Sequence, residues 1–135
     1  MTILSFNFKK ISAERGAAPK GKISINNNIS IKSVKGIDLN FGKTKNRGLR
    51  FNFSFETKFN PEFGKIVLEG ELVYMTAPED ISKIEADWKK NKKLPKAVAQ
   101  KIMAHIIDKA NIEAIILSRT VSLPSPVPLP KIKAK

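Results

Sequence analysis

The chain is 135 residues long with 25 lysines and arginines, 12 acids and no cysteine, for a net charge of +13. Such a length suits one domain, enough to bury about two-thirds of the unfolded chain's surface, and 41% hydrophobic residues argue against a disordered chain. The absence of cysteine excludes disulfides, thiolate catalysis and cysteine-ligated zinc or iron–sulfur sites. No apolar run approaches the roughly 20 residues of a membrane helix, and "MTILSFNFKK" lacks the pattern of a signal peptide, so a cytoplasmic protein with no membrane partner is expected.

Residues 3–11 predict a strand in which Leu4, Phe6 and Phe8 share one face against Ser5 and Asn7. "ERGAAPKG" at 14–21 predicts a loop. In "KISINNNISIKSVKGIDLNF", Ile23 and Ile25 share a face, as do Ile29 and Ile31, giving one long strand or two short ones with a bulge at the asparagines. "GKTKNRG" at 42–48 predicts a turn. The clearest strand follows: Leu49, Phe51, Phe53 and Phe55 alternate with Arg50, Asn52, Ser54 and Glu56. "NPEFG" at 60–64 predicts a hairpin turn into a strand at 65–76, with Gly70 as a candidate bulge.

After Thr76 the apolar period changes from 2 to 3.6. Thr76 is a candidate cap, Pro78 suits a first helical turn, and Glu79 and Asp80 complement the helix dipole. Ile81, Ile84 and Trp88 form one stripe. A second, longer helix is predicted from Pro95 to about residue 118, with Val98, Ile102, Ile106 and Ala110 on one face and Ile115, Ile116 and Leu117 continuing the apolar surface. The chain ends "SLPSPVPLPKIKAK", too rich in proline for helix or central strand, yet apolar at Leu123, Val127, Leu129 and Ile132. Strands followed by helices predict an α+β fold: an antiparallel sheet of about four strands with two helices on one face.

This order, and above all the long helix "LPKAVAQKIMAHIIDKANIEAIILSRT" leading into "VSLPSPVPLPKI", resembles the SecB-like family: the bacterial secretion chaperone SecB and its archaeal relatives, over roughly residues 3–132. The resemblance implies a single domain over 1–122 and an extended segment over 123–135 that docks in part, through Leu123, Val127 and Leu129. It also implies dimers and tetramers formed through the sheet edge and the helices. SecB-like folds resemble certain archaeal large-subunit ribosomal proteins as well. The secretion chaperones are acidic; this chain is strongly basic.

Basic charge directs attention to polyanions. Lysine (21) outnumbers arginine (4), which suits phosphate contact more than bidentate base reading. Three clusters are candidates for RNA binding: Lys43, Lys45, Arg47 and Arg50; Lys89, Lys90, Lys92, Lys93 and Lys96; and Lys131, Lys133 and Lys135. Each has a plain alternative as solvated surface. Phe51, Phe53 and Phe55 suit a core face better than a base-stacking platform. Glu69 and Glu71 share a strand face, where a polar outer surface explains them better than acid–base chemistry. His105, the one histidine, has no metal-binding companions. No phosphate loop, nucleophile elbow or metal motif is present, so neither catalysis nor a cofactor is expected.

The expectation is therefore a structural ribosomal RNA-binding protein of the large subunit, with ribosomal RNA and neighbouring ribosomal proteins as partners. The alternative is a SecB-type holdase for unfolded or nascent polypeptides.

Overall fold

A computed structural model describes residues 2–41 and 44–126; within those spans, the side chains of residues 2, 40, 41, 44 and 45 are not described. Four strands precede two helices: β1 (Thr2–Arg15), β2 (Ser24–Phe41), β3 (Thr44–Asn60), β4 (Gly64–Met75), α1 (Pro78–Asn91) and α2 (Lys96–Thr120). All pairings are antiparallel and the strand order is β1-β4-β3-β2, which leaves β1 and β2 as edges. This is the expected α+β architecture, with the first strand at an edge.

The alternation of β3 decides where the core lies. Leu49, Phe51, Phe53, Phe55 and Phe59 are almost fully buried, while Arg50, Asn52, Ser54 and Glu56 stay in contact with water. One end of this apolar face, with Val34, Leu72 and Tyr74, receives Ile81, Ile84 and Trp88 of α1 and Ile102 and Ile106 of α2. The other end, with Phe63, Ile66 and Leu68, receives Ala110 and Ala114 of α2 and Leu123 beyond it. Alanines at 110 and 114 let the second half of α2 approach the phenylalanine-rich sheet closely.

Several local expectations are corrected. The asparagines at 26–28 carry no bulge; the register of β2 shifts between Ile31 and Ser33, so Lys32 is the extra residue. That shift turns Val34 onto the face already occupied by Ile29 and Ile31. Nor is Gly70 the bulged residue. The shift there lies across it in β1, between Phe8 and Lys10, and another lies between Ile3 and Ser5. The second displaces Leu4 from its expected face: Ile3 pairs with Tyr74 and packs on the core, while Leu4 is 38% exposed. All three shifts thus fall on the edge strands, two in β1 and one in β2.

Glu14 and Arg15 belong to β1, because Lys65 and Gly64 of β4 lie opposite them. Likewise Thr44–Gly48 belong to β3, paired with the end of β2. In both places the backbone partner overrides poor local strand propensity. Thr76 does not cap α1. Ala77 stands at that position without a side-chain bond, and the Thr76 side chain bonds the Tyr74 phenol instead. Burial pushes the Tyr74 pKa up, against the opposing pull of that hydrogen bond.

Candidate functional site

The tail begins with a turn that ends α2. Ser122 has φ 59, the Ser122 N–H donates to Arg119 O (3.2 Å) and the Leu123 N–H donates to Ser118 O (2.7 Å). This paired pattern is the Schellman motif, and it reverses the chain so that the following apolar residue packs back. Leu123 is accordingly 7% exposed and packs in the second core cluster. Three residues on, the Asn27 amide Nδ2 donates to Pro126 O (3.0 Å), and Asn27 Oδ1 accepts from the fully buried Thr57 hydroxyl (2.6 Å). Asn27 therefore satisfies a buried hydroxyl on one side and holds the tail on the other. Sequence reading passed over Asn27 because its neighbours are asparagines too; only its phase with Ile25 and Ile29 singles it out. Val127, Leu129 and Ile132 lie outside the described residues.

The first basic cluster proves to be internally compensated where it is described. Arg47 Nε is 3.6 Å from Asp38 Oδ1 and its Nη2 is 3.8 Å from Glu85 Oε2. Arg50 Nε lies 3.5 Å from Glu71 Oε2, and Lys9 Nζ lies 3.0 Å from the same oxygen. The absence of acids between Asp38 and Glu56 is a property of the sequence alone: β2, α1 and β4 deliver the acids in space. Lys43 and the tail's Lys131, Lys133 and Lys135 lie outside the described residues, as does the side chain of Lys45.

The second cluster forms the corner where α1 meets α2. Lys92 ends α1 in the left-handed conformation (φ 56), its N–H bonded to Trp88 O, and its ammonium lies 5.6 Å from the Trp88 ring centroid. Lys89 is 3.5 Å from Glu85 one turn back. Lys90, Lys93 and Lys96 are exposed, with no acid within ion-pair distance among the described residues. Pro95 precedes α2 without a side-chain cap, and α2 has no acid in its first turn. The corner is thus an uncompensated positive surface. Beside it, Thr76, Asp80, Lys83, Ile84, Pro95 and Val98 line a cleft of about 210 Å³.

The third surface is apolar. On α2, Ile107, Ile112 and Ile116 are 38%, 60% and 52% exposed. On β1, Ile11 is 47% exposed, and its pairing with Leu68 puts it on the helix-covered face of the sheet. A further groove of about 260 Å³ runs between β2 and α2, lined by Asn27, Asn28, Ile29, Phe55, Ile107 and Asn111.

Phe51, Phe53 and Phe55 are buried beneath the helices, so they offer no surface to a nucleobase. The His105 ring packs 5.4 Å from that of Phe6, and the described residues hold no cluster of three or more potential metal ligands. No helix of the described residues is long and apolar enough to cross a membrane.

No family model matches the chain and no curated protein matches it. Among solved structures it is similar to a SecB-like chaperone of Mycobacterium tuberculosis in complex with a ChAD peptide from the HigA1 antitoxin, with a TM-score of 0.60 over 99% of this chain and 91% of that one. At 12% identity the likeness is one of fold. The chain has a SecB-like fold.

Proposed function

We propose that the protein is a non-catalytic, SecB-type holdase that binds extended apolar segments of unfolded or nascent polypeptides. The observation that carries this reading is the set of isoleucines left open on the helical layer, above all Ile112 and Ile116. Single exposed aliphatics are ordinary, but Ile112 and Ile116 stand one turn apart and more than half exposed on the side of α2 turned from its buried residues, while Ile107 opens into the groove beside β2. The fold is that of a chaperone solved with a peptide bound, which supports the same reading. Self-association through the β1 edge belongs to this proposal, since β1 has a long unpaired rim.

The test is suppression of light scattering by a chemically denatured enzyme. The native chain should suppress aggregation at physiological salt. The double variant Ile112→Lys/Ile116→Lys should need at least about tenfold more protein for the same effect, since each change removes roughly 1.5–3 kcal/mol of contact. Its melting temperature should not fall, because both side chains are more than half exposed. Sedimentation of the variant separates a client surface from a self-association surface. A native chain that suppresses nothing defeats the reading.

The second reading, binding to ribosomal RNA, is favoured by the +13 charge and the uncompensated lysine corner. Phosphate contacts release counterions, so ribosome co-sedimentation should then collapse as salt rises, by about 10³-fold in affinity between 50 and 200 mM for six or more contacts. A flat salt dependence, or no co-sedimentation at low salt, rules it out.

A further inference from the structure

We propose that the corner between α1 and α2 is a docking site for an acidic polypeptide segment carrying one aliphatic side chain: the aliphatic group enters the cleft at Ile84, Pro95 and Val98, and the flanking carboxylates lie on Lys90, Lys93 and Lys96. This surface is separate from the open isoleucines of α2, and the inference does not depend on holdase activity.

The corner stands out by the density of its unpaired lysines. On the sheet Lys9 and Arg50 share Glu71, Arg47 has Asp38 and Glu85, and Lys58 and Lys65 share Glu56, whereas the lysines without an ion pair elsewhere, such as Lys20 and Lys22, are not gathered three to a corner. At the corner Glu85 takes Lys89, and no acid occurs in the sequence from residue 88 to 107. Lys90 at the end of α1, Lys93 in the connection and Lys96 at the start of α2 bring three like charges to one corner, where they repel one another. An anionic partner relieves that repulsion. The uncapped N-terminus of α2 adds positive potential in the same direction.

The choice of polypeptide over RNA follows from what accompanies the charge. Single-stranded RNA is held by lysine and arginine together with open aromatic faces on which bases stack. Here Trp88 is 9% exposed and lies beneath the Lys92 ammonium, and the cluster contains no arginine. What stands open instead is a small cleft in which Ile84, Pro95 and Val98 meet Thr76, Asp80 and Lys83, of a size for one leucine-like side chain. Asp80, which also lines the cleft, sets a direction. It belongs to the first turn of α1, about 15 Å along the helix axis from Lys90, so the partner's acids lie toward the lysines and away from the start of α1.

The probe is a labelled peptide of about twelve residues, aspartate and glutamate throughout with one central leucine, followed by fluorescence anisotropy on the full-length protein. Replacing that leucine with alanine should weaken binding about tenfold. The variant Lys93→Glu/Lys96→Glu should weaken it at least about tenfold, whereas Lys20→Glu/Lys22→Glu, an equal change in net charge on the exposed β1–β2 connection, should weaken it less than about threefold. Equal loss in the two variants would show a general field rather than a site and overturn the proposal. Equal binding of the leucine and alanine peptides overturns it too, as does tighter, corner-dependent binding of a single-stranded RNA of the same length, which assigns the corner to phosphate. The Ile112→Lys/Ile116→Lys variant should bind the peptide as the native chain does, so failure here and failure of the holdase reading are separately visible.

Discussion

Ending the chain at Thr120 should lower its melting temperature by about 10 °C relative to a chain that ends at Pro126. The shorter cut removes Leu123, whose burial contributes roughly 1.5–3 kcal/mol, and opens the second core cluster to water around Phe63 and Ile66. It also removes the Pro126 carbonyl, so the Asn27 amide loses an acceptor, a further loss of about 1 kcal/mol. The Ser118 carbonyl loses the Leu123 N–H that closes α2. Together these reach about 3 kcal/mol, a large part of the 5–15 kcal/mol that holds a domain. The variant Asn27→Ala separates the terms: it keeps Leu123, loses the clamp on Pro126, and leaves the buried Thr57 hydroxyl without its partner. It should cost about 1–3 kcal/mol through that orphaned hydroxyl. Equal melting of the Thr120 and Pro126 truncations would show that Leu123 and its turn contribute nothing to stability.

The sheet and both helices were legible in the sequence because each carries a clean period: two in "LRFNFSFETKF", 3.6 in the Ile81, Ile84 and Trp88 stripe. Their ends were not legible where a neighbouring strand decides them. Nothing local marks Thr44–Gly48 as strand, and only the opposing end of β2 makes it one. Bulges at Lys32 and Lys9 were misplaced for a related reason. An asparagine run or a glycine draws attention as a breaker, whereas the residue that slips is chosen by which side chains must reach the core, here Val34 beyond Lys32. The basic clusters show the same divide. Lysine density in the sequence falls at the helix corner, where Lys90, Lys93 and Lys96 have no ion-pair partner among the described residues. The same count does not reveal that Arg47 and Arg50 lie beside acids, which arrive from three other elements. Exposed Ile112 and Ile116 could not be told from core, because a helix that is apolar on more than one side has no single phase to read.

Gly70→Ala should lower the urea midpoint enough to correspond to about 2–3 kcal/mol, against near-neutrality for Gly21→Ala. Gly70 lies mid-strand in β4, opposite Phe8 in β1 and Phe53 in β3. Its missing side chain leaves a gap on the helix-covered face, and the Phe53 ring fills it: a Cβ at Gly70 would stand 2.8 Å from Phe53 Cζ and against the backbone carbonyl of Asn7. Neither neighbour yields cheaply. The Asn7 carbonyl belongs to a strand already bent by the bulge at Lys9. Phe53 stacks on Phe6 with ring centroids 5.1 Å apart, and Phe6 meets Phe8 edge-on at 5.1 Å and His105 of α2 at 5.4 Å. Moving one ring therefore disturbs β1, β3 and α2 together. Overpacking a fixed core of this kind typically costs about 1–3 kcal/mol, and the backbone contact sets the expectation at the upper end. At Gly21 nothing lies within 4 Å of an added Cβ, so the same substitution only stiffens a loop. The compensating variant Gly70→Ala/Phe53→Leu removes the ring that fills the gap and should recover part of the loss, leaving the carbonyl contact as the remainder. Indistinguishable midpoints for Gly70→Ala and Gly21→Ala would mean that β1 is held loosely enough to move aside, and that the edge strand rather than the aromatic cluster absorbs the change.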